Sequence, residues 1–158
     1  MDDDGCGADP KVEHPDPQVL VSEYLDRGGR GDFLASNAWH DGAVECPGHT
    51  PGFDSGTLVT GWRLSTLREG ADSVSFQVAF DRHSEIAQDS VGMYLLPAAG
   101  VELDTITVVR KPYGWRVGGC ELQPHVLPTG AKSRLRLREG DQRLIDSLIA
   151  RSTARPGV

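Results

Sequence analysis

The spacing of apolar residues changes along this chain, and that change constrains the fold more than any other feature. Near the N-terminus, Leu20, Val21, Tyr24 and Leu25 fall at the spacing of one helical face. From residue 58 onward the apolar residues alternate with polar ones, as they do in half-buried strands. The alternating positions are Leu58, Thr60, Trp62 and Leu64, followed by Val74, Phe76, Val78 and Phe80. The sequence therefore predicts an α+β fold in which helices precede an antiparallel sheet.

Two helices are predicted before the sheet. Asp16 can cap the first, Pro17 suits its first turn, and the glycine-rich segment 28–31 ends it after about residue 27. Asp32 can then accept the free amides of a second, shorter helix. The apolar residues of that helix are Phe33, Leu34, Ala35, Ala38 and Trp39. A long loop rich in glycine and proline is expected over 41–56.

The later strands are predicted to be short and interrupted. Residues 81–92 are polar and favour a loop, 93–96 favour a short strand, and 97–100 favour a break. In 101–110, Val101 and Leu103 share one phase of the alternation whereas Ile106 and Val108 share the other, which indicates a β-bulge. Residues 111–114 then form a turn, and residues 115–117 begin the returning strand of a hairpin.

The C-terminal third is expected to end in a helix. Residues 122–129 extend or follow the last strand, and 132–138 alternate arginine with leucine, as in an edge strand with a solvated face. From Glu139 onward an apolar stripe of Leu144, Ile145, Leu148 and Ile149 predicts a short amphipathic helix.

The 158-residue length fits one domain, predicted over 15–152, between a disordered leader at 1–14 and a tail at 153–158. The formal charge of −7 argues against a nucleic-acid-binding surface, because such surfaces need clustered Lys and Arg. We therefore expect no nucleic-acid partner.

The three cysteines leave the cellular compartment open. The segment around Cys6 is similar to the start of a mature bacterial lipoprotein, but no apolar stretch precedes it. The chain as given predicts a cytoplasmic protein; the alternative is an exported lipoprotein whose signal has been removed, and a membrane partner is expected only in that case. Cys46 and Cys120 could form a disulfide or remain two separate thiols.

The order of these elements resembles the nuclear-transport-factor-2-like superfamily, also called the cystatin-like cone, which includes ketosteroid isomerase and the polyketide cyclase-like proteins. The likeness lies in segments 21–25 and 31–33 of the helices and in 107–110 and 114–117 of the hairpin. It covers about residues 16–123. It implies a strongly curved sheet wrapped around the N-terminal helices, an open end that often forms a pocket, and a sheet that often supports homodimers.

The first candidate catalytic group is Asp41, with its neighbours His40 and Glu45. In the isomerase branch that the chain resembles, a carboxylate near this point acts as a general base, and Tyr24 could serve as the hydrogen-bond donor of the first helix. That branch also needs an acid on a strand, and the slipped alternation leaves the facing of Asp104 open. The alternative is that the acids around Asp41 are solvated loop residues.

The second candidate group is Asp81, His83 and Glu85, which alternate at the end of a predicted strand. They could form an acid–base pair or bind a divalent metal. A polar run after an apolar strand is more often its exposed exit, and the remaining histidines are scattered along the chain. We therefore predict no metal and no cofactor.

The aromatic residues Trp39, Trp62, Phe76, Tyr94 and Trp115 could line a pocket for a small apolar ligand or could form the core. With no complete catalytic set in view, the favoured function is a non-catalytic small-ligand-binding or accessory domain. The alternative is a small-molecule isomerase, dehydratase or hydrolase that uses a pocket carboxylate as general base.

Overall fold

The computed structural model describes residues 12–31, 39, 42–44, 56–118 and 124–153, and these residues form an α+β fold with a strongly curled five-stranded sheet. Helix α1 spans Pro17–Gly29, α2 spans Pro128–Arg134 and α3 spans Glu139–Thr153. The strands are β1 (Gly56–Glu69), β2 (Ser73–Gln88), β3 (Met93–Lys111), β4 (Gly114–Gly118) and β5 (His125–Val126). The α+β class predicted from the sequence is therefore confirmed.

The sheet has the strand order β4-β3-β2-β1-β5. Its first four strands are antiparallel neighbours, as predicted, but β5 runs parallel to β1, with Thr57 opposite His125. The parallel pairing arises because the chain passes from β4 at one edge of the sheet to β5 at the other. This crossing places His125 beside β1 and not beside β4, the strand that precedes it in the chain.

The central strands are longer than predicted. β2 continues through the polar residues to Gln88, and β3 is unbroken across 97–100. The irregularity lies between Arg82 and Ser84, where two residues of β3, Ala98 and Ala99, lie opposite the single His83. Backbone pairing with a neighbouring strand therefore overrides the local preference of this polar, proline-containing stretch for a loop.

The β-bulge predicted within 101–110 is wrong. The pairing of β3 with β2 is regular there, with Glu102 opposite Phe80, Asp104 opposite Val78 and Ile106 opposite Phe76. Residues directly opposite each other in an antiparallel pair lie on the same face of the sheet. The acidic side chains therefore occupy the inner face, which we define as the face that carries Phe76, Val78 and Phe80.

Helix α1 confirms the first predicted helix. The Asp16 carboxylate accepts hydrogen bonds from the backbone amides of Gln18 (2.8 Å) and Val19 (3.1 Å), as expected of an N-cap. The helix buries Leu20, Val21 and Leu25. Residues 32–38 of the second predicted helix lie outside the described residues, as do Cys6, Cys46 and Cys120.

The core consists of two apolar clusters on the curled sheet. The first lies under α1 and includes Leu20, Val21, Leu25, Val59, Phe76, Val78, Phe80, Ile106, Val108 and Val117. The second lies under α2 and α3 and includes Leu58, Ile86, Val126, Ala131, Leu135, Leu137, Ile145 and Leu148. Each cluster removes apolar surface from water and so contributes to the stability of the fold.

The C-terminal segment differs from the prediction in one element. Residues 128–134 form helix α2, where an extended or edge segment was expected, and Pro128 occupies the first turn of that helix. The alternation of leucine and arginine holds only at 135–138, where Leu135 and Leu137 are buried and Leu137 forms a bridge with Met93. The closing helix is confirmed as α3.

The β3–β4 hairpin is also confirmed, and the chain before α1 packs against it. The backbone carbonyl of His14 accepts a hydrogen bond from the amide of Trp115 (2.9 Å), and the buried guanidinium of Arg116 donates to the carbonyl of Val12. Residues 12–14, the last part of the predicted leader, therefore contact β4.

The outer face of the sheet is mostly polar but exposes Leu67, Val101 and Leu103. The homodimer expected through the sheet stays a prediction. Among the described residues, no helix is long and apolar enough to cross a membrane.

Candidate functional site

Polar side chains interrupt the inner face between the two apolar clusters. Along β2, Phe80 belongs to the first cluster and Ile86 to the second, and Arg82 and Ser84 lie between them. On the neighbouring strand, Glu102 lies opposite Phe80. An otherwise apolar surface therefore carries a compact group of ionisable side chains at its middle.

Strand β5, which is separated from β3 by β2 and β1 in the sheet, completes this group. The ring of His125 stacks on Phe80 with a centroid distance of 3.8 Å and an interplanar angle of 10°. Its Nε2 lies 2.9 Å from Oε2 of Glu102 and 3.6 Å from Oδ2 of Asp104. We call Glu102, Asp104 and His125 the carboxyl–imidazole group.

Arg82 contacts the same group on its other side. Its Nη1 lies 3.8 Å from Oε1 of Glu102, the carboxylate oxygen that does not face His125. The Nε of Arg82 is buried and has no hydrogen-bond partner among the described residues. Glu102 is therefore positioned by an imidazole on one oxygen and by a guanidinium on the other.

The pKa values of the two carboxyl groups shift in opposite directions. Burial, and then the adjacent Glu102 carboxylate, raise the pKa of Asp104 to about 6. Burial also opposes ionisation of Glu102, but hydrogen bonds from Asp104 and His125, together with the charge of Arg82, hold its pKa below the ordinary value. Near neutral pH the pair therefore holds a proton more readily on Asp104 than on Glu102.

The group combines a buried part with an accessible part. The side chain of His125 is 4% exposed, whereas those of Glu102 and Asp104 are 26% and 29% exposed. Within the described part of the chain, β4 pairs only with residues 107–111 of β3, so no described strand covers the β3 edge beside the two acids. Solvent reaches the carboxyl groups, and a small molecule could approach them by the same side.

The three side chains could also hold a metal ion. One ligand atom from each of Glu102, Asp104 and His125 lies within 4.8 Å of the other two. The Oδ2 of Asp104 is buried and has no hydrogen-bond partner among the residues the structure describes. Imidazole nitrogen and carboxylate oxygen are common ligands of divalent transition metals.

Of the catalytic candidates chosen from the sequence, those that the structure describes lie elsewhere. Asp81 faces away from the inner face and is 3.8 Å from Arg63, and its side chain is 48% exposed. His83 lies at the strand irregularity, with Nδ1 2.6 Å from the hydroxyl of Ser84. Tyr24 is half-buried against the first apolar cluster. Asp41 lies outside the described residues.

The five aromatic candidates divide between the core and the surface. Phe76 is buried in the first cluster, and Trp39, Trp62 and Trp115 pack partly buried against it. Tyr94 lies under the guanidinium of Arg138, 4.3 Å from its ring centroid. The ring of Trp62 packs edge-on against Phe80, the ring that stacks on His125, with a centroid distance of 6.1 Å.

Sequence reasoning missed Glu102 and His125 and left Asp104 undecided. The signal for the acids was present, because Glu102 and Asp104 share the phase of Ile106 and Val108. That signal was hidden by the apolar Val101 and Leu103, which the structure places on the outside. No local pattern marks His125, because its position depends on the parallel pairing of β5 with β1.

No family model, curated protein or solved structure matches this chain. The resemblance to the nuclear-transport-factor-2-like superfamily therefore stays a prediction.

Proposed function

We propose that this protein binds a small, mostly apolar ligand on the inner face of its sheet and holds a polar group of that ligand with Glu102 and Asp104. The observation that carries this proposal is the carboxyl–imidazole group itself, which is partly exposed between two apolar clusters. Ligand sites in proteins are mostly apolar and contain a few convergent polar groups that fix orientation.

A purely structural role explains this arrangement less well. His125 does connect β5 to β3 through Glu102, but one carboxylate is enough for that contact. Asp104 adds a second acid whose pKa is raised, which means that its ionised form is disfavoured in the fold. Apolar side chains of similar volume often replace buried ionic groups without loss of stability. Ionising Asp104 lowers the stability of the fold, and its side chain is accessible to solvent, so a role in binding a ligand explains its presence better.

The aromatic surroundings suggest what the ligand looks like. Trp62 is only partly buried where it packs against Phe80, so it offers aromatic surface near the acids, and carboxylates accept hydrogen bonds from hydroxyl and amine groups. We therefore expect an aromatic or alicyclic molecule that carries a hydroxyl or amino group. A molecule of the same shape that lacks the donor would leave the carboxylate unpaired and bind more weakly.

The test is a binding comparison between naphthol and its methyl ether, measured by saturation-transfer NMR and by fluorescence in the presence of EDTA. Naphthol is expected to bind the wild-type chain more tightly than its ether. Glu102→Gln and Asp104→Asn are expected to reduce that preference, whereas Asp81→Asn, which makes the same chemical change on the outer face, is expected to keep it. Equal preference in all four proteins would refute the proposal.

A catalytic role is the second candidate, and the hydrogen bond between His125 and Glu102 favours it. A carboxylate or imidazole held at 2.9 Å from an orienting partner has the geometry of a general base. Such an isomerase, dehydratase or hydrolase would alter a bound molecule. Incubating the protein with enolisable ketones in D₂O and following loss of the α-proton signals by NMR would detect it. No exchange above that of the Asp104→Asn variant would leave binding alone as the function.

A further inference from the structure

We infer that the carboxyl–imidazole group is a binding site for a divalent transition-metal ion, with Nε2 of His125, Oε2 of Glu102 and a carboxylate oxygen of Asp104 as its ligands. This inference rests on the proposed function in one respect, since it names a ligand for the same site. It does not require an organic ligand, so the two can fail separately.

The spacing of the three ligand atoms fits a metal. Ligands about 2.1 Å from a zinc ion lie about 3.0 Å apart at a right angle and about 3.4 Å apart at the tetrahedral angle. Nε2 of His125 lies 2.9 Å from Oε2 of Glu102 and 3.6 Å from Oδ2 of Asp104. Small side-chain rotations would therefore place all three atoms around one ion.

The buried oxygen of Asp104 is an independent indication of a missing partner. Oδ2 of ionised Asp104 is buried and accepts no hydrogen bond in the described part of the chain, although buried polar atoms nearly always have a partner. It faces Nε2 of His125 at 3.6 Å, beyond hydrogen-bonding distance. A cation between the three ligand atoms would satisfy this oxygen.

The residues behind the ligands hold them in place. Phe80 stacks on the imidazole at 3.8 Å and so restricts the ring plane of His125. Arg82 contacts Oε1 of Glu102 and leaves Oε2 directed at His125. Groups that orient metal ligands in this way are typical of metal sites. With Arg82 included and the imidazole neutral, the two ionised acids leave one net negative charge for the cation.

The ligand set points to a transition metal rather than to magnesium or calcium. Imidazole nitrogen suits Zn²⁺, Co²⁺ and similar ions, whereas Mg²⁺ and Ca²⁺ prefer oxygen ligands throughout. Three protein ligands also leave room for water or a further ligand, as in catalytic rather than structural zinc sites. We expect affinity in the order Zn²⁺ above Co²⁺ above Mn²⁺, following the general preference of such sites.

Isothermal titration of the full, EDTA-treated chain with ZnCl₂ tests the inference. One equivalent is expected to bind. Glu102→Gln and Asp104→Asn are each expected to weaken Zn²⁺ binding by more than about tenfold, because even residues behind metal ligands contribute about 10- to 100-fold. Asp81→Asn is expected to bind Zn²⁺ as the wild type does. Circular dichroism confirms that each variant is folded.

Cobalt provides a second measurement that needs no variant. Co²⁺ bound by nitrogen and oxygen ligands gives visible d–d bands without a thiolate-to-cobalt charge-transfer band in the near ultraviolet. Loss of Zn²⁺ binding in the two site variants together with an N/O-type cobalt spectrum supports the inference. No Zn²⁺ binding, unchanged binding in the site variants, or a thiolate band would overturn it. The naphthol experiment in EDTA would then still test the proposed function independently of the metal.

Discussion

Replacing Asp104 by asparagine is expected to make the metal-free protein more stable at neutral pH. Its folded-state pKa of about 6 lies above the ordinary value of 3.8, so the folded protein binds this proton more tightly than the unfolded chain does. The stability that the group contributes is therefore fully present below about pH 4 and is lost as the pH rises through about 6. Asparagine keeps the shape and can donate to Glu102 at every pH, as the protonated acid does.

The size of the effect follows from the pKa shift and from exposure. A shift of about two pKa units corresponds to at most about 3 kcal/mol between acidic and neutral pH. The Asp104 side chain is 29% exposed, and solvent screening reduces such energies, so we expect about 1 kcal/mol. Glu102 is coupled to Asp104, but the asparagine amide keeps a hydrogen-bond donor beside it, so the comparison reports mainly on Asp104.

Urea denaturation in EDTA at pH 4.5 and pH 7.5 measures the effect for the wild type, Asp104→Asn and Asp81→Asn. The free energy of unfolding of Asp104→Asn should exceed that of the wild type at the higher pH, and the difference should shrink at the lower pH. Asp81→Asn should show no such pH-dependent gain. An Asp104→Asn variant that is less stable than the wild type at pH 7.5 would refute the assignment of a disfavoured, ionised Asp104.

Three further changes test the packing around the site and the ends of the elements. Phe80→Ala removes the buried ring that stacks on His125 and should lower the free energy of unfolding by about 3–5 kcal/mol, measured by urea denaturation; a loss below about 1 kcal/mol would contradict the packing. Asp16→Ala removes the N-cap of α1 and should cost about 1 kcal/mol, visible as a lower Tm. Gly114→Ala should lower the Tm more than Gly92→Ala. Both glycines have positive φ, so both variants are strained. A Cβ at Gly114 would also lie 2.9 Å from the backbone of His14, whereas one at Gly92 meets nothing within 4 Å. An equal decrease in Tm for the two glycine variants would mean that backbone strain, and not the contact with His14, sets the loss of stability.

Several elements follow from short-range sequence signals. The Asp16 cap, Pro17 and the apolar stripe of α1 predicted that helix within two residues of its end. The turn at 111–114 and the stripe from Leu144 to Ile149 predicted the β3–β4 hairpin and α3. These signals work because capping, turn geometry and helical periodicity depend on residues a few positions apart.

The strands and the site depended on long-range pairing. Polar residues 81–88 are held in β2 by ladders to both of its neighbours, so their local preference for a loop does not decide their conformation. The same ladders set the register of β3, and a register change by one residue would move Glu102 and Asp104 to the outer face. Apolar Val101 and Leu103, whose phase indicated a β-bulge in the sequence, are solvent-exposed for this reason.

The sequence alone determined the α+β class, the first and last helices, the late hairpin and the two long alternating segments. The tertiary structure alone decided that Glu102 and Asp104 face inward and that His125 meets them from the opposite edge of the sheet. The physical reason is that periodicity records which residues share a face, whereas the partner across a sheet depends on register and strand order. His125 and Glu102 are 23 residues apart in the chain, and their contact exists because β2 and β1, the two strands between β3 and β5 in the sheet, align.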